Sequence, residues 1–445
     1  MRKKARVTEP RDECDFEDYV SSLPDEILVS ILSLLTLKEA VVTSNLSRRM
    51  RYTWTHISGL DFDANDKLDK IAADPKSRTT ERPKYINWVN RVLRQHKGSK
   101  VDSFRICFDL DKRSKCAIDH WVKFAITKGV QTLELDLLEN GERLRQPTRN
   151  YTFSQKLLSH YKGFAFNRLE GLVLKCVNVS EEALQCLISN CPVLKYLSMH
   201  GSGDLMNVKV SGPSLTLKYF EIVFCLSVET IEISNVNLVA FSYLGPRVDL
   251  NIYNVPMLDE ISIGEGYTGL ENNVFGQLSC CLYQLEVLTL DIYCPEENIK
   301  LDMFPELPKL KQLILRVGAW DDDSLLEFTS FVKACPNLNR FVLQLIWMSL
   351  SKRRRKIREA AKYTHRFLKL VEIVGYYGRT SDAEIAMYFF ENAVALEKII
   401  IDPRYQVMVR PPVGVDQTMK EENARRRAKQ QLEAIKPPGV QLVIL

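Results

Sequence analysis

LISNCPVLKYLSM (residues 187–199) begins with apolar residues at helical spacing, turns at a proline, and ends in alternation. The same change of period recurs in FVKACPNLNRFVL (331–343) and FFENAVALEKIII (389–401). Each stretch closes on three apolar residues at i, i+3 and i+5: Leu194/Leu197/Met199, Leu338/Phe341/Leu343 and Leu396/Ile399/Ile401. A helix that turns into a strand, repeated along one chain, points to stacked units rather than to a single closed core.

The spacing is found at eight further places: Val130/Leu133/Leu135, Leu169/Leu172/Leu174, Leu217/Phe220/Ile222, Leu238/Phe241/Tyr243, Leu258/Ile261/Ile263, Leu285/Leu288/Leu290, Leu310/Leu313/Leu315 and Leu368/Val371/Ile373. From Leu194 to Leu338 the steps are 23, 21, 20, 27, 25 and 28 residues, a leucine-rich-repeat period. The expected fold is α/β: a solenoid in which each repeat gives one short parallel strand on the concave face and a return segment, and neighbours bury a continuous core. Alternation sends the last two motif residues inward and their neighbours outward. The outward set is Tyr196, Ser198, His200, Glu221, Ser262, Asp291, Arg316, Arg340, Gln344, Glu372, Lys398 and Asp402, a mixture suited to recognising a protein.

Composition narrows the class. With 45% apolar and 26% charged residues the 445-residue chain is globular rather than disordered or collagen-like. Its 61 basic and 56 acidic residues leave a net charge of +5, too small an excess to make nucleic acid the expected partner. No run of 18 apolar residues and no secretory apolar segment behind MRKKARVTEPRDECD is present, so no membrane is expected and the location is read as nucleus and/or cytoplasm. The eleven cysteines are then reduced thiols.

Ahead of the repeats lies SSLPDEILVSILSLLTLKEA (21–40). Pro24 fits the first helical position, and Asp25 and Glu26 suit the positive end of a helix dipole. Ile27, Leu28, Ile31, Leu32 and Leu35 then make one wide apolar stripe. Thr36 and Glu39 have capping-box spacing for a second helix, and a third is expected to carry Leu46, Met50 and Trp54 at spacing four. So small a unit cannot bury this much apolar surface by itself. The remainder of the chain or a partner must cover it. Residues 64–84, polar with two prolines, are read as a loop or linker.

No reactive constellation is evident. Gly264, Gly266 and Gly269 spell G-x-G-x-x-G in GEGYTG, but no clean helix start follows, so a turn between repeats is expected. No C-x-x-C pair exists, and Cys191 and Cys335, at equivalent repeat positions before proline, are expected in the core. The six histidines are scattered. SKRRRKIR (351–358) is a candidate import signal, and RRRAK (425–429) sits in a helix-like charged stretch. No cofactor or metal is implied.

Leu23, Pro24, Asp25, Glu26, Ile27, Ile31, Leu32, Leu35, Lys38, Glu39, Leu46, Ser47, Arg48, Arg49, Arg51 and Trp54 together resemble an F-box. The resemblance implies a Skp-type adaptor as partner and, through it, a cullin-RING ubiquitin ligase. It also implies that Leu23, Pro24, Ile27, Leu28, Ile31, Leu32, Leu35, Leu46 and Trp54 carry that contact or the three-helix packing behind it. YINWVNRVL, IDHWVKFAITKGVQTLELDL and ISNCPVLKYLSM, with HRFLKLVEIVGYYGRTSDAEIAMYFFENAVALEKIIID near the C-terminus, are similar to plant-type F-box proteins with leucine-rich repeats and a C-terminal FBD segment. The implied order is a tail over 1–17, an F-box over 18–60, a linker and helix over 61–100, repeats over 101–355, and an FBD segment over 356–445 continuing the array. The chain departs from the family at Leu35-Thr36-Leu37-Lys38 and at Met50, where the family has proline and tryptophan.

The resemblance implies a non-catalytic, substrate-recognising subunit of a ubiquitin ligase that would hold the adaptor by its F-box and a protein target by its repeats. The alternative is a repeat scaffold whose F-box no longer binds adaptor. An enzyme would rest on the glycine motif and scattered nucleophiles alone.

Overall fold

A computed structural model describes residues 19–153, 166–264, 274–292, 304–319, 323–347, 356–358, 362–404 and 415–445. The tail read over 1–17 lies outside them. The expected α/β solenoid is present: among the described residues fourteen parallel strands form one sheet in chain order, from Gly59–Asp63 to Gln441–Ile444.

Strand register explains why the i, i+3, i+5 spacing recurs. The i+3 residues stack as one inward column, including Leu133, Leu172, Leu197, Phe220, Phe241, Ile261, Leu288, Leu313, Phe341, Val371 and Ile399. The i+5 residues, from Leu135 to Ile401, stack as a second, and both columns are buried throughout. Each rung supplies part of its neighbours' core, so burial of apolar surface is continuous along the array.

Repeat length selects the return segment. The three shortest repeats, which follow Leu194, Leu217 and Leu238, return through strands Asn207–Ser211, Thr230–Ser234 and Asp249–Tyr253, which form a second, three-stranded parallel sheet. The longer repeats return through helical segments such as Glu181–Asn190, Val274–Gln277 and Thr329–Lys333. A strand advances about 3.3 Å per residue and a helix about 1.5 Å, so a short repeat crosses the same distance only when extended. Side chains close the edges of this small sheet: Gln185 Nε2 donates to Lys209 O (2.7 Å), and Cys280 Sγ to Ile252 O (2.8 Å). Such caps keep a sheet edge from pairing with another chain.

Residues 64–84 are not a linker. They form helix Asn65–Ala73, a 3-10 turn Pro75–Ser77 and the start of helix Arg78–Gln95, which contains Pro83. Leu68 and Ile71 are buried, and so are Glu81 and Arg82. The polarity that suggests a loop serves an internal ion-pair cluster. Asp109, fully buried, accepts from Arg82 Nη2 (2.6 Å), Arg145 Nη2 (2.7 Å), Arg78 Nε (2.8 Å) and the Asn140 N–H (3.0 Å), while Arg82 Nη1 also donates to Asp111 (2.6 Å). Beside it Tyr85 stacks on Phe108, ring centroids 4.1 Å apart. Two further rungs precede those expected, with the same spacing at Ile57/Leu60/Phe62 and Val101/Phe104/Ile106.

Burial alone would raise the Asp109 and Asp111 carboxyls. The Asn140 N–H and Arg82 outweigh it at Asp109, and the side chain and backbone of Arg113 with Arg82 do so at Asp111, leaving both below the usual range. Burial lowers His365 to about 4, and its ring Nε2 lies 2.8 Å from Tyr388 Oη. In each case the folded value is the lower one, so the stabilisation is present above the unfolded pKa and lost as pH falls. Thermal melting across pH is therefore expected to show stability falling from about pH 6.5 through His365 and again below about pH 4 through the aspartates, with a shallower first loss in His365→Gln. Asp109→Ala, which removes the buried carboxylate that Arg78, Arg82 and Arg145 share, is expected to cost about 3–5 kcal/mol in denaturant unfolding.

Candidate functional site

The N-terminal unit divides its apolar residues between two directions. Helix Asp25–Leu32 starts after Pro24 (φ −54°). Leu28 and Leu32, each 1% exposed, face the core with Leu37, Ala40 and Trp54. Ile27, Ile31 and Leu35 on the other side are exposed, as is Pro24, and Leu23 is partly buried. The stripe is thus an inner half that packs and an outer half that is bare. Helix Leu37–Val42 follows with its capping box, Thr36 Oγ1 accepting from the Glu39 N–H and Glu39 accepting from the Thr36 N–H (2.9 Å).

The third helix expected over Leu46 to Trp54 is absent; 3-10 turns Thr43–Asn45 and Thr53–His56 flank an irregular turn. The spacing of four therefore does not put its three residues on one face. Leu46 is 73% exposed, whereas Met50 (5%) and Trp54 are in the core. Leu34 (86% exposed), Val42 and Tyr52 join the bare surface but were not singled out by the sequence reading, because each falls outside the regular stripe. Eight of the 23 large exposed hydrophobics among the described residues lie between Val20 and Tyr52.

This unit is joined directly to the first rungs of the sheet. Thr55 O accepts from the Lys97 N–H (2.8 Å) and Gly98 N–H (3.2 Å), and Ser58 O from the Asp102 N–H (2.7 Å). Lys38 pairs with Asp66 at 3.1 Å and lies over the Trp88 ring.

On the strand face Tyr196, Ser198, His200 and Glu221 come together. Glu221 Oε2 accepts from Ser198 Oγ (2.7 Å), His200 Nε2 (3.1 Å) and Tyr196 Oη (3.3 Å). The His200 bond, opposed by partial burial and aided by Ser198, holds the Glu221 carboxyl down at about 2. The Ser-His-Glu trio is not a nucleophile site, because Ser198 and Glu221 meet the same ring nitrogen, whereas a triad needs base and orienting acid on opposite nitrogens. Ser198 was expected to face outward but is 1% exposed beneath these partners. Tyr219, which pairs with Tyr196 in register, escaped the reading although it occupies the same strand position one repeat later.

Farther along, Arg316 bridges Asp291 (3.2 Å) and Gln344 (3.3 Å), and Arg340 bridges Glu372 (2.9 Å) and Gln312 (3.2 Å). Asp291 is also a correction: it is 3% exposed, and burial raises its carboxyl despite Arg316. Ser262 and Lys398 lie on the same face without joining either group, and Asp402 pairs with Arg404 at 2.6 Å. Gly264 closes its strand where an added Cβ would sit 2.3 Å from Asp291 Cβ. Close strand approach therefore accounts for it; Gly266 and Gly269 lie outside the described residues. So do 351–355 of the first basic run. The second run lies on helix Val415–Leu432, which buries Ala424, Ala428 and Leu432. Cys191 and Cys335 are in the core, and burial pushes both thiols up to about 12. No helix among the described residues is long and apolar enough to cross a membrane.

Parallel rungs with this register, preceded by a small helical unit with a bare apolar surface, define a leucine-rich-repeat protein with a helical N-terminal module. Comparison with known families agrees. The F-box domain family model matches residues 20–59, and the model described as At1g61320/AtMIF1, LRR domain, matches residues 92–437. The chain belongs to the F-box proteins with leucine-rich repeats of this kind. It is 25% identical over 433 residues to the F-box/FBD/LRR-repeat protein At5g22700 of Arabidopsis thaliana, covering 88% of this chain and 93% of that one. It is 26% identical to the F-box/FBD/LRR-repeat protein At5g22660 of Arabidopsis thaliana, covering 86% and 89%. With the F-box/FBD/LRR-repeat protein At1g13570 of Arabidopsis thaliana the identity is 29% over 213 residues, 46% of this chain and about half (49%) of that relative.

The division of the helical stripe makes a direct prediction. Leu28→Ala is expected to cost about 2–5 kcal/mol by opening a core cavity, and Ile31→Ala to stay within about 0.5 kcal/mol. Denaturant unfolding of the full chain distinguishes them.

Proposed function

We propose that the chain is the substrate-recognising subunit of a Skp-cullin-F-box ubiquitin ligase and performs no chemistry itself. The outer surface of Ile27, Ile31, Leu34, Leu35, Val42, Leu46 and Tyr52 holds the Skp-type adaptor, and the strand face holds a target protein. The carrying observation is the bare apolar surface on a module tied rigidly to the repeats. Monomeric proteins seldom leave contiguous apolar surface uncovered, and nothing in the described chain covers this one. The direct junction at Thr55 and Ser58 keeps target and adaptor at a fixed separation, which raises the effective concentration of target lysines near the transferring enzyme. Residues 356–445 act as an FBD-type extension of the target surface, and the protein works in the nucleus or the cytoplasm.

The rival reading of a scaffold with a disused F-box drew on Met50 and on the shortened match around Leu37. Both residues are buried, so these departures from the family change packing and leave the outer surface intact.

Full-length chain and purified Skp-type adaptor are expected to co-purify. Ile31→Asp with Leu46→Asp is expected to weaken that binding at least about tenfold with unchanged thermal melting, because both side chains already meet water. A folded wild-type chain that retains no adaptor would contradict the proposal, as would a double variant that binds as well as wild type.

A further inference from the structure

The strand face is not uniform along the sheet. On the first six rungs its outward positions carry Asp61, Asp63, Glu134, Asp136 and Glu221 against Arg105 and Lys175, although the whole chain has a net charge of +5. Most of these groups satisfy one another. Arg105 bonds Asp61, Asp63 and Glu134, and Lys175 bonds Asp136 at 2.8 Å. Glu221 differs: its three donors all meet Oε2, and among the described residues no donor meets Oε1. One oxygen is fixed by the sheet and the other is available.

An aromatic step stands beside it. The first outward position of successive rungs holds Gly59, Ser103, Thr132 and Gly171, then Tyr196 and Tyr219. A shelf of small side chains thus ends at two rings whose centroids are 6.4 Å apart, both more than a third exposed. Ring faces attract cations, and an ionised carboxylate oxygen only accepts hydrogen bonds. A guanidinium satisfies both at once, since it stacks on a ring and points a fork of donors at the acid. A phosphate backbone would be repelled by the same acidic rungs.

We infer that Tyr196, Tyr219 and Glu221 form a pocket for a basic side chain, arginine foremost, carried by an extended positively charged segment of the target protein. The inference rests on the strand face being the target surface. The shelf from Gly59 to Gly171 gives the segment a path toward the F-box end, and the pocket fixes where it stops.

The test is selection of a random dodecapeptide display library on the immobilised full-length chain, followed by affinity measurement and a hydrogen-exchange footprint of the recovered peptides. Peptides enriched in arginine or lysine, with a footprint on the rungs around Tyr196–His200, are expected. Glu221→Gln, which keeps the shape of the side chain, and Tyr219→Ala should each weaken them about tenfold, while Tyr219→Phe, which keeps the ring, should stay within about twofold. Replacing the key arginine by citrulline should cost as much as Glu221→Gln. Binders on the strand face without basic residues, or unaffected by Glu221→Gln in a variant of unchanged melting temperature, would overturn the inference and leave the strand face as target surface. A footprint elsewhere, or no binder, would overturn both.

Discussion

The inward side chains of a five-residue strand cannot be buried by that strand. Leu197 and Met199 are dry because Leu172 and Leu174 lie on one side of them and Phe220 and Ile222 on the other. Everything else follows from this dependence on neighbours. Register must hold from rung to rung, return segments must match the length of their repeat, and the ends of the array need a cover of another kind. At the N-terminal end that cover is the F-box, whose helix Leu37–Val42 packs against the first strand with Leu37 and Ala40 buried. The module proposed to meet the adaptor is therefore also a cap of the solenoid.

That double role explains how the F-box can be bare on one side and stable. Three short helical segments make too small a core alone, but Leu28, Leu32, Met50 and Trp54 share the continuous core of the repeats. The outer residues are then free of any packing duty. The same arrangement fixes the geometry between the two proposed binding surfaces: with strands about 4.8 Å apart, the Glu221 rung lies about 24 Å along the sheet from the first.

The repeats were legible because burial leaves a fixed spacing in the sequence, and Val130/Leu133/Leu135 to Leu396/Ile399/Ile401 all became rungs. The first two rungs carry the same spacing, yet the polar stretch between them hid them. Glu81 and Arg82 look like solvent residues in a sequence, and only the fold supplies Lys70, Asp109 and Asp111 to pair with them. The final strand, Gln441–Ile444, is missed for another reason: Gly439 stands where the motif has its first apolar residue. At the sites, alternation told which side a residue faces but not whether water reaches it. Ser198 and Asp291 face outward and are covered by neighbours one rung away, Glu221 and Arg316, and such neighbours are about 20 to 30 residues distant in sequence. In the F-box, the stripe was visible but its division into a packed and a bare half was not, because the inner partner is the turn Thr53–His56, some twenty residues on, which the fold brings back against the helix.

The central claim is that the F-box is a rigid cap with an uncovered outer face. Hydrogen–deuterium exchange of the full-length chain, with and without purified Skp-type adaptor, measures both halves of it at once. The amides of Thr55 to Asp63 and Lys97 to Asp102 should already be slow in the free chain, and adaptor should add protection between Leu23 and Tyr52 while leaving the strand-face rungs unchanged. Fast exchange at the junction in the free chain, or adaptor-dependent protection centred on the repeats, would contradict it.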